Sequence, residues 1–209
     1  MKWNNSKSVL LIVDVQNDFI PGGALAVSGG DEVVPVINVL QNKFNHIVAT
    51  QDFHPNDHRS FAIHHPGKNP GEMIELEGLP QVLWPVHCVQ GTWGADFHPK
   101  LEKEKWSKII QKGKNPFVDS YSGFFDNARR GDTGLAAYLR KNEVSQVVVC
   151  GLALDYCVKF TALDALDLGF ETYLVTDATK AVNLSPEDGN RTLEELVSKG
   201  VKLITSKEF

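Results

Sequence analysis

The chain has 209 residues, of which 42% are hydrophobic and 22% charged, and this composition suits a globular protein with a sizeable core. The net charge of −5, without any cluster of lysine and arginine, disfavours nucleic acid as a partner. The apolar run "VLLIV" is too short to span a membrane, and three cysteines do not form a disulfide framework, so we expect a cytoplasmic protein with no membrane partner.

Strand and helix patterns alternate along the chain. "SVLLIVDV" predicts a strand buried on both faces, and "DEVVPVINVLQNKF" predicts a helix with Asp31 as its N-cap. "NHIVATQ" and "SKIIQK" predict two more strands, and a helix in "GDTGLAAYLRKN" precedes the strand "QVVVCGL". A helix beginning near Cys157, the strand "ETYLVT", the helix "PEDGNRTLEELVSKG" and the strand "VKLITS" follow. This order predicts a single α/β domain over residues 1–209, a three-layer α/β/α fold with a Rossmann-like, mostly parallel sheet of about six strands.

Residues 53–105 interrupt this alternation. They show little periodicity, and proline and glycine recur throughout. A segment of this length without regular structure is usually functional or disordered. Because it holds six of the seven histidines and two tryptophans, which disordered segments rarely contain, we expect a loop region that binds metal and substrate.

Chemically useful side chains follow the predicted strands. Open α/β sheets bind ligands beyond the carboxyl ends of their strands, so residues at those ends should share one edge. These residues are Asp14, Asp52, His54, Lys112 and Cys157.

Cys157 has two interpretations, a buried structural cysteine or a nucleophile. With Asp155 as N-cap and Gly169 just beyond the helix, Cys157 would lie in the first helical turn. There the helix dipole favours the thiolate, and free N–H groups can stabilise an oxyanion, so we favour the nucleophile. For Cys150, in the middle of a strand, we keep the structural interpretation.

Asp14 either caps a turn or accepts the cysteine proton, provided that burial raises its pKa. A lysine beside both groups would hold their negative charges in place. Lys112 is one candidate and Lys114 is another, and the residue pattern alone leaves this choice open.

The stretches "QDFHPNDH" and "WPVHC" indicate a metal site. Asp52 and His54 are two residues apart, so on an extended chain their side chains point the same way, and His87 could complete the set. One carboxylate with two imidazoles suits Zn, Mn or Fe. Loop histidines are more often simply solvated, but the position next to Cys157 favours a divalent metal.

Several of these motifs together resemble the nicotinamidases, a group within the isochorismatase-like cysteine hydrolases. The resemblance runs nearly end to end and implies the fold described above. It implies a catalytic triad of Asp14, Lys112 and Cys157, and it selects Lys112 over Lys114. The motifs are "DVQNDF", "GGAL", "QDFHP", "WPVHCVQGTWGADFHP", "KGKNPFVDSYSGFFDN" and "GLALDYCVKFTALDAL".

The resemblance also implies the surroundings of the triad. A divalent metal would be held by Asp52, His54 and His87, and an added ligand, His58 or Ser60, is left open. The N–H groups of Ala153 and Cys157 would form the oxyanion hole, next to a cis peptide between Leu152 and Ala153. The residues that would line the substrate pocket are Phe19, Leu25, Trp84 and Tyr121.

The implied activity is hydrolysis of nicotinamide to nicotinate and ammonia through a cysteine thioester, as in NAD salvage, with pyrazinamide as a further substrate. Two alternatives are another hydrolase of the superfamily, such as an isochorismatase or an N-carbamoyl amidase, and a non-catalytic metal- or ligand-binding domain. A homo-oligomer is left open. Relatives often carry threonine at the position of Leu154, which puts a side-chain hydrogen bond there in doubt.

Overall fold

The computed structural model describes residues 6–209, in which a six-stranded sheet is the central feature. Its strand order is β5-β2-β1-β6-β7-β8, and each pair of neighbours runs parallel. The predicted six-stranded parallel sheet is therefore confirmed. The strands are β1 (Ser8–Val13), β2 (His46–Asp52), β3 (Met73–Leu76), β4 (Leu79–Val82), β5 (Lys108–Lys112), β6 (Gln146–Leu152), β7 (Glu171–Lys180) and β8 (Lys202–Ile204).

Helices cover both faces of the sheet. The helices are α1 (Val33–Gln41), α2 (Leu135–Lys141), α3 (Lys159–Asp167) and α4 (Asp188–Lys199). Successive side chains of β1 point to opposite faces: Leu10 packs in the apolar cluster that includes α1, and Leu11 packs in the cluster with α2, α3 and α4. None of the helices within residues 6–209 has the length and apolarity needed to cross a bilayer.

The start of α1 differs from the prediction. A 3₁₀ turn at Gly30–Glu32 precedes the helix, and the chain enters that turn from Gly29, which has a left-handed φ of 65°. Asp31 lies inside this turn and is not the N-cap, so that prediction was wrong. The reason is that the glycine pair lets the chain begin to coil before the apolar pattern begins.

The start of the helix after β6 also differs from the prediction. Residues Leu154–Val158 form a single π-helical turn, and α3 follows it. Asp155 is not the N-cap, because its carboxylate accepts hydrogen bonds at 2.8 Å from the backbone N–H groups of Val182 and Asn183. Gly169, with φ of 87°, lies just beyond α3 as predicted.

The long segment 53–105 contains regular structure that the sequence did not predict. Strands β3 and β4 form an antiparallel hairpin, so the expectation of a wholly irregular segment was wrong. Glu77 and Gly78 connect the strands, both with positive φ (50° and 77°), as a tight two-residue hairpin turn requires.

Candidate active site

The site lies at the carboxyl edge of four neighbouring strands, β5, β2, β1 and β6. Asp14 directly follows β1, Asp52 ends β2, and Lys112 ends β5 directly beside Asp52 in the sheet register. Strand β6 leads through Leu152 into the π-helical turn that carries Cys157. Because adjacent strands lie about 5 Å apart, the sheet itself brings these side chains into contact.

Lys112 is the centre of this group. Its Nζ lies 2.9 Å from Asp14 Oδ2, 3.1 Å from Asp52 Oδ1 and 3.5 Å from Cys157 Sγ, and it donates to the carbonyl of Ser120 at 2.8 Å. The Lys112 side chain is fully buried, whereas Lys114 is exposed. The geometry therefore favours Lys112 over Lys114 as the lysine that contacts both Asp14 and Cys157.

Burial controls the protonation of the three groups. Burial raises the pKa of Asp14 against the opposing effect of Lys112. Burial opposes the charged form of Lys112, but Asp14 and Asp52 outweigh it, so the pKa of Lys112 lies well above its ordinary range and the lysine stays charged.

The cysteine differs from the sequence-based expectation. Burial raises the pKa of the Cys157 thiol well above its ordinary value despite Lys112, and Asp14 and Asp52 raise it further. The thiolate that we expected at a helix start is therefore not the resting form. Burial of the thiol and the two nearby carboxylates outweigh the lysine and the helical turn. A thiolate at this position would have to be generated by a base, and Asp14 is hydrogen-bonded to the thiol.

Asp52, His54 and His87 form a compact donor set, and Asp52 also contacts Lys112. His54 Nδ1 lies 2.9 Å from the carbonyl of Gly113, and His87 Nδ1 lies 2.8 Å from that of Pro85. Each ring therefore donates its Nδ1–H to a carbonyl and, when neutral, presents an unprotonated Nε2. Both Nε2 atoms face Asp52 Oδ2, at 3.0 and 3.5 Å. Electron pairs facing each other in a buried site repel unless a cation lies between them, so the donor set fits a divalent metal.

His58 and Ser60, left open by the sequence, interact with each other. His58 Nδ1 lies 2.7 Å from Ser60 Oγ and accepts the backbone N–H of Ser60 at 3.2 Å. Its Nε2 is buried and finds no hydrogen-bond partner among the described residues. Burial lowers the pKa of His58 to about 4, so this ring is neutral at physiological pH.

A cavity lies over Cys157, and its walls contain all four predicted pocket residues. Trp84 Nε1 donates to the hydroxyl of Tyr121 at 3.1 Å, which fixes two aromatic walls relative to each other. The lining residues are Phe19, Leu25, Asp52, Trp84, His87, Asp119, Tyr121, Ala153, Tyr156, Cys157 and Val182.

Three lining residues were missed by the sequence analysis. Tyr156 packs edge-on against Trp84, with ring centroids 4.8 Å apart, and its position directly before Cys157 could have indicated it. Asp119 precedes Tyr121 by two residues in a motif already recognised, which is a weaker signal. Val182 follows β7 and reaches the cavity through tertiary structure alone.

The turn before Cys157 has the implied cis peptide between Leu152 and Ala153. Ala153 lines the cavity, whereas Leu154 packs in the apolar cluster that includes α2, α3 and α4. The side chain at position 154 thus serves the core of the protein.

Comparison with known proteins matches the isochorismatase domain to residues 8–208. The nicotinamidase of Escherichia coli (strain K12) is 48% identical over 204 residues, covering 96% of this chain and 95% of the relative. The solved nicotinamidase/pyrazinamidase of Acinetobacter baumanii has a TM-score of 0.95 at 44% identity and covers 99% of both chains. The pyrazinamidase of Pyrococcus horikoshii, solved in complex with zinc, has a TM-score of 0.79 at 43% identity and covers 95% of this chain and 99% of its own. With a family match over nearly its whole length and relatives this similar, the chain belongs to the isochorismatase family.

Proposed function

We propose that this protein hydrolyses nicotinamide to nicotinate and ammonia, a reaction of NAD salvage, and that it also hydrolyses pyrazinamide. The similarity to nicotinamidases along the whole chain supports this reaction. The observation that carries the proposal is the position of Asp52, whose Oδ1 contacts Lys112 while its Oδ2 faces the two imidazoles. The Asp52 carboxylate thus contacts Lys112, which lies beside Cys157, and also the two histidines of the proposed metal site. Both groups lie at the same cavity, which has aromatic walls.

The first step is acylation of Cys157. Asp14 accepts the thiol proton, and the thiolate attacks the carboxamide carbon to form a tetrahedral intermediate. Asp14 then gives the proton to the leaving nitrogen, so that ammonia departs and a thioester remains. The raised pKa of Asp14 suits a group that must both take and return a proton.

The developing negative charges have separate partners. The backbone N–H groups of Ala153 and Cys157 form the oxyanion hole, in which each donor typically contributes about 3 kcal/mol of transition-state stabilisation. Lys112 stays charged throughout the reaction. It stabilises the Cys157 thiolate while Asp14 holds the proton, and it stabilises the Asp14 carboxylate after Asp14 has given the proton away. In the second step Asp14 accepts a proton from the water that adds to the thioester carbon. The proton passes to the Cys157 sulfur as the carbon–sulfur bond breaks, and nicotinic acid leaves and ionises to nicotinate.

Asp52, His54 and His87 would hold a divalent metal, and we infer zinc, which the Pyrococcus relative contains. A metal held there would supply a Lewis acid able to bind the pyridine nitrogen of the substrate. Phe19, Trp84 and Tyr121 confine the ring between them, and positioning of this kind contributes strongly to the rate.

We also propose that residues 1–209 form a single domain, although the first five lie outside the described part of the chain. The family match over 8–208 and the continuous six-stranded sheet support this. The segment 53–105 contributes His54, Trp84 and His87 to the site, as expected of a metal- and substrate-binding region.

The test is turnover by the purified zinc-loaded protein with nicotinamide, pyrazinamide, isochorismate and N-carbamoylsarcosine. Ammonia release and chromatography of the acid products measure the reaction. We expect hydrolysis of the two aromatic carboxamides and none of the other two compounds. Activity confined to isochorismate or to the carbamoyl compound would assign the chain to another hydrolase of the family, and activity on none of the four would contradict an enzymatic role.

A further inference from the structure

We propose that Asp119 is a positioning residue of the metal centre, that its charge strengthens binding of the divalent cation, and that the same charge favours neutral carboxamides over anionic acids. The choice of nicotinate and nicotinamide as probes rests on the proposed function, whereas the metal-binding part does not.

Asp119 lies next to the metal-type donor set. One of its carboxylate oxygens lies within 4.8 Å of a ring nitrogen of His54 and of His58. Asp119 lines the cavity with only 3% of its surface exposed. His54 therefore belongs to two clusters of possible metal ligands. One contains Asp52 and His87, and the other contains His58 and Asp119.

His58 provides an independent observation at the same place. Its side chain is fully buried, and its Nε2 has no hydrogen-bond partner within residues 6–209. Because Nδ1 accepts the backbone N–H of Ser60, the neutral ring carries its proton on Nε2. The buried His58 Nε2 and the buried Asp119 carboxylate therefore mark a polar site separate from Asp14, Lys112 and Cys157.

The partners of Asp119 leave its charge uncompensated. Its Oδ1 accepts the backbone N–H of Ser120 at 2.8 Å, and its Oδ2 accepts Nε2 of Gln81 at 2.8 Å. Both donors are neutral, and Lys112 forms its ion pairs with Asp14 and Asp52. Asp52, the other carboxylate that lines the cavity, has Lys112 and two imidazoles.

Charge balance connects Asp119 to a divalent cation. Three carboxylates contact Lys112 or line the cavity, those of Asp14, Asp52 and Asp119. Lys112 compensates one of them, and two negative charges remain. A divalent ion on Asp52, His54 and His87 would neutralise these two. Outer partners of this kind commonly change metal affinity by 10- to 100-fold.

The same charge acts on the ligand. Nicotinamide is neutral, whereas nicotinate carries a carboxylate, and a buried carboxylate in the cavity wall repels an anion in a site of low dielectric constant. Asp119 therefore weakens binding of the acid relative to the amide, which assists product release.

The experiment compares wild type with Asp119→Asn, which keeps the size and an acceptor but removes the charge. Asp119→Ala removes the carboxylate outright, and Asp119→Glu restores the charge. Asp132→Asn, an exposed carboxylate in the same segment, is the charge-matched control. Zn²⁺ affinity is measured by competition with a chromophoric chelator, and thermal unfolding is measured on the metal-free protein.

We expect Zn²⁺ affinity to fall about 10- to 100-fold in Asp119→Asn and Asp119→Ala, to recover partly in Asp119→Glu, and to stay unchanged in Asp132→Asn. The metal-free asparagine variant should unfold at or above the wild-type temperature, because a buried charge has been removed. At saturating Zn²⁺, the inhibition constant of nicotinate relative to the KM of nicotinamide should fall about tenfold, because the substitution removes a repulsion that acts on the anion alone.

Wild-type Zn²⁺ affinity in folded Asp119→Asn and Asp119→Ala would overturn the proposal. So would a lower unfolding temperature without any change in Zn²⁺ affinity, which indicates a purely structural residue. Failure of the wild type to hydrolyse nicotinamide would refute the proposed function instead, and the Zn²⁺ titration would still decide the role of Asp119.

Discussion

Gln16 is hydrogen-bonded to both backbone groups of Asp52. Its Oε1 accepts the Asp52 N–H at 2.7 Å, and its Nε2 donates to the Asp52 carbonyl at 2.8 Å. The same Nε2 donates to the carbonyl of Ala95 at 2.9 Å. Gln16 thereby fixes the main chain of Asp52 and leaves the carboxylate free for Lys112 and the two imidazoles.

Replacing the Gln16 side chain should weaken the proposed metal site, because the Asp52 main chain would lose the hydrogen bonds that fix it. We expect Gln16→Leu to weaken Zn²⁺ binding by roughly 10- to 100-fold and to reduce activity in parallel. The unpaired backbone groups of Asp52 should lower the free energy of unfolding by about 1–3 kcal/mol. Competition with a chelator measures the Zn²⁺ affinity, and urea unfolding measures the free energy of unfolding. Gln90→Leu is the control, since Gln90 also donates to a backbone carbonyl but is exposed; equal effects of the two substitutions would contradict the role of Gln16.

The nucleophile can be tested by comparing cysteines. Cys157→Ala should abolish ammonia release while circular dichroism remains that of the folded protein, because alanine fits the same turn. Cys150→Ala should keep much of the activity when it folds, because Cys150 is buried in the core cluster that includes α1. Substantial turnover by Cys157→Ala would exclude Cys157 as the nucleophile.

The proposed base can be removed without a change in shape. Asp14→Asn keeps an acceptor for the Thr50 hydroxyl, which donates to Asp14 Oδ1 at 2.6 Å. We expect turnover to fall by roughly 10²- to 10⁴-fold, the usual contribution of a general base. Nicotinate binding, measured by calorimetry, should survive because the cavity walls are intact. A nearly normal rate in this variant would show that another group takes the proton.

The proposed metal ligands can be tested with two histidines. His87→Ala removes an imidazole from the donor set, so the zinc content after dialysis and the nicotinamidase rate should both collapse. His46→Ala changes a histidine at the opposite end of β2 and should leave both unchanged. The ligand assignment is wrong if His87→Ala retains wild-type zinc content.

The protonation of Cys157 predicts a pH dependence. In the metal-free protein the thiol pKa lies well above its ordinary value, so the reactive thiolate is scarce at neutral pH. Its fraction, and with it the rate of alkylation by iodoacetamide, should rise about tenfold per pH unit up to that pKa. Lys112→Met should slow alkylation at each pH, because loss of the positive charge raises the thiol pKa further. The alkylation rate of Cys157→Ala gives the contribution of Cys88 and Cys150, which is subtracted from the wild-type rate. A rate independent of pH between about 7 and 9 would contradict this protonation state.

Much of the sheet could be predicted from the sequence, because strands buried on both faces, such as β1 and β6, are mostly continuous apolar runs. The carboxyl ends of parallel strands then share one edge of the sheet. That rule alone is enough to predict that Asp14, Asp52 and Lys112 share one edge of the sheet. It works because strand direction, and not loop conformation, determines where these residues lie.

Other features depend on contacts that a local pattern does not contain. Asp155 has the side chain of an N-cap, but it binds backbone N–H groups 27 and 28 residues further along the chain. The pKa of Cys157 depends on burial and on two carboxylates from other strands. The hairpin of β3 and β4 was missed because its four-residue strands are too short for a clear alternation.

The reacting groups and the pocket walls have different origins in the fold. Asp14, Asp52 and Lys112 are attached to adjacent strands, whereas Trp84 and Tyr121 belong to connecting segments. Evolution can therefore change the two parts separately. Substitutions in the connecting segments are expected to alter which amide enters, while the strand ends still hold Asp14, Asp52 and Lys112 together. A scaffold organised in this way can diversify its substrates by loop replacement, and the strand ends should accept far less variation than the cavity walls.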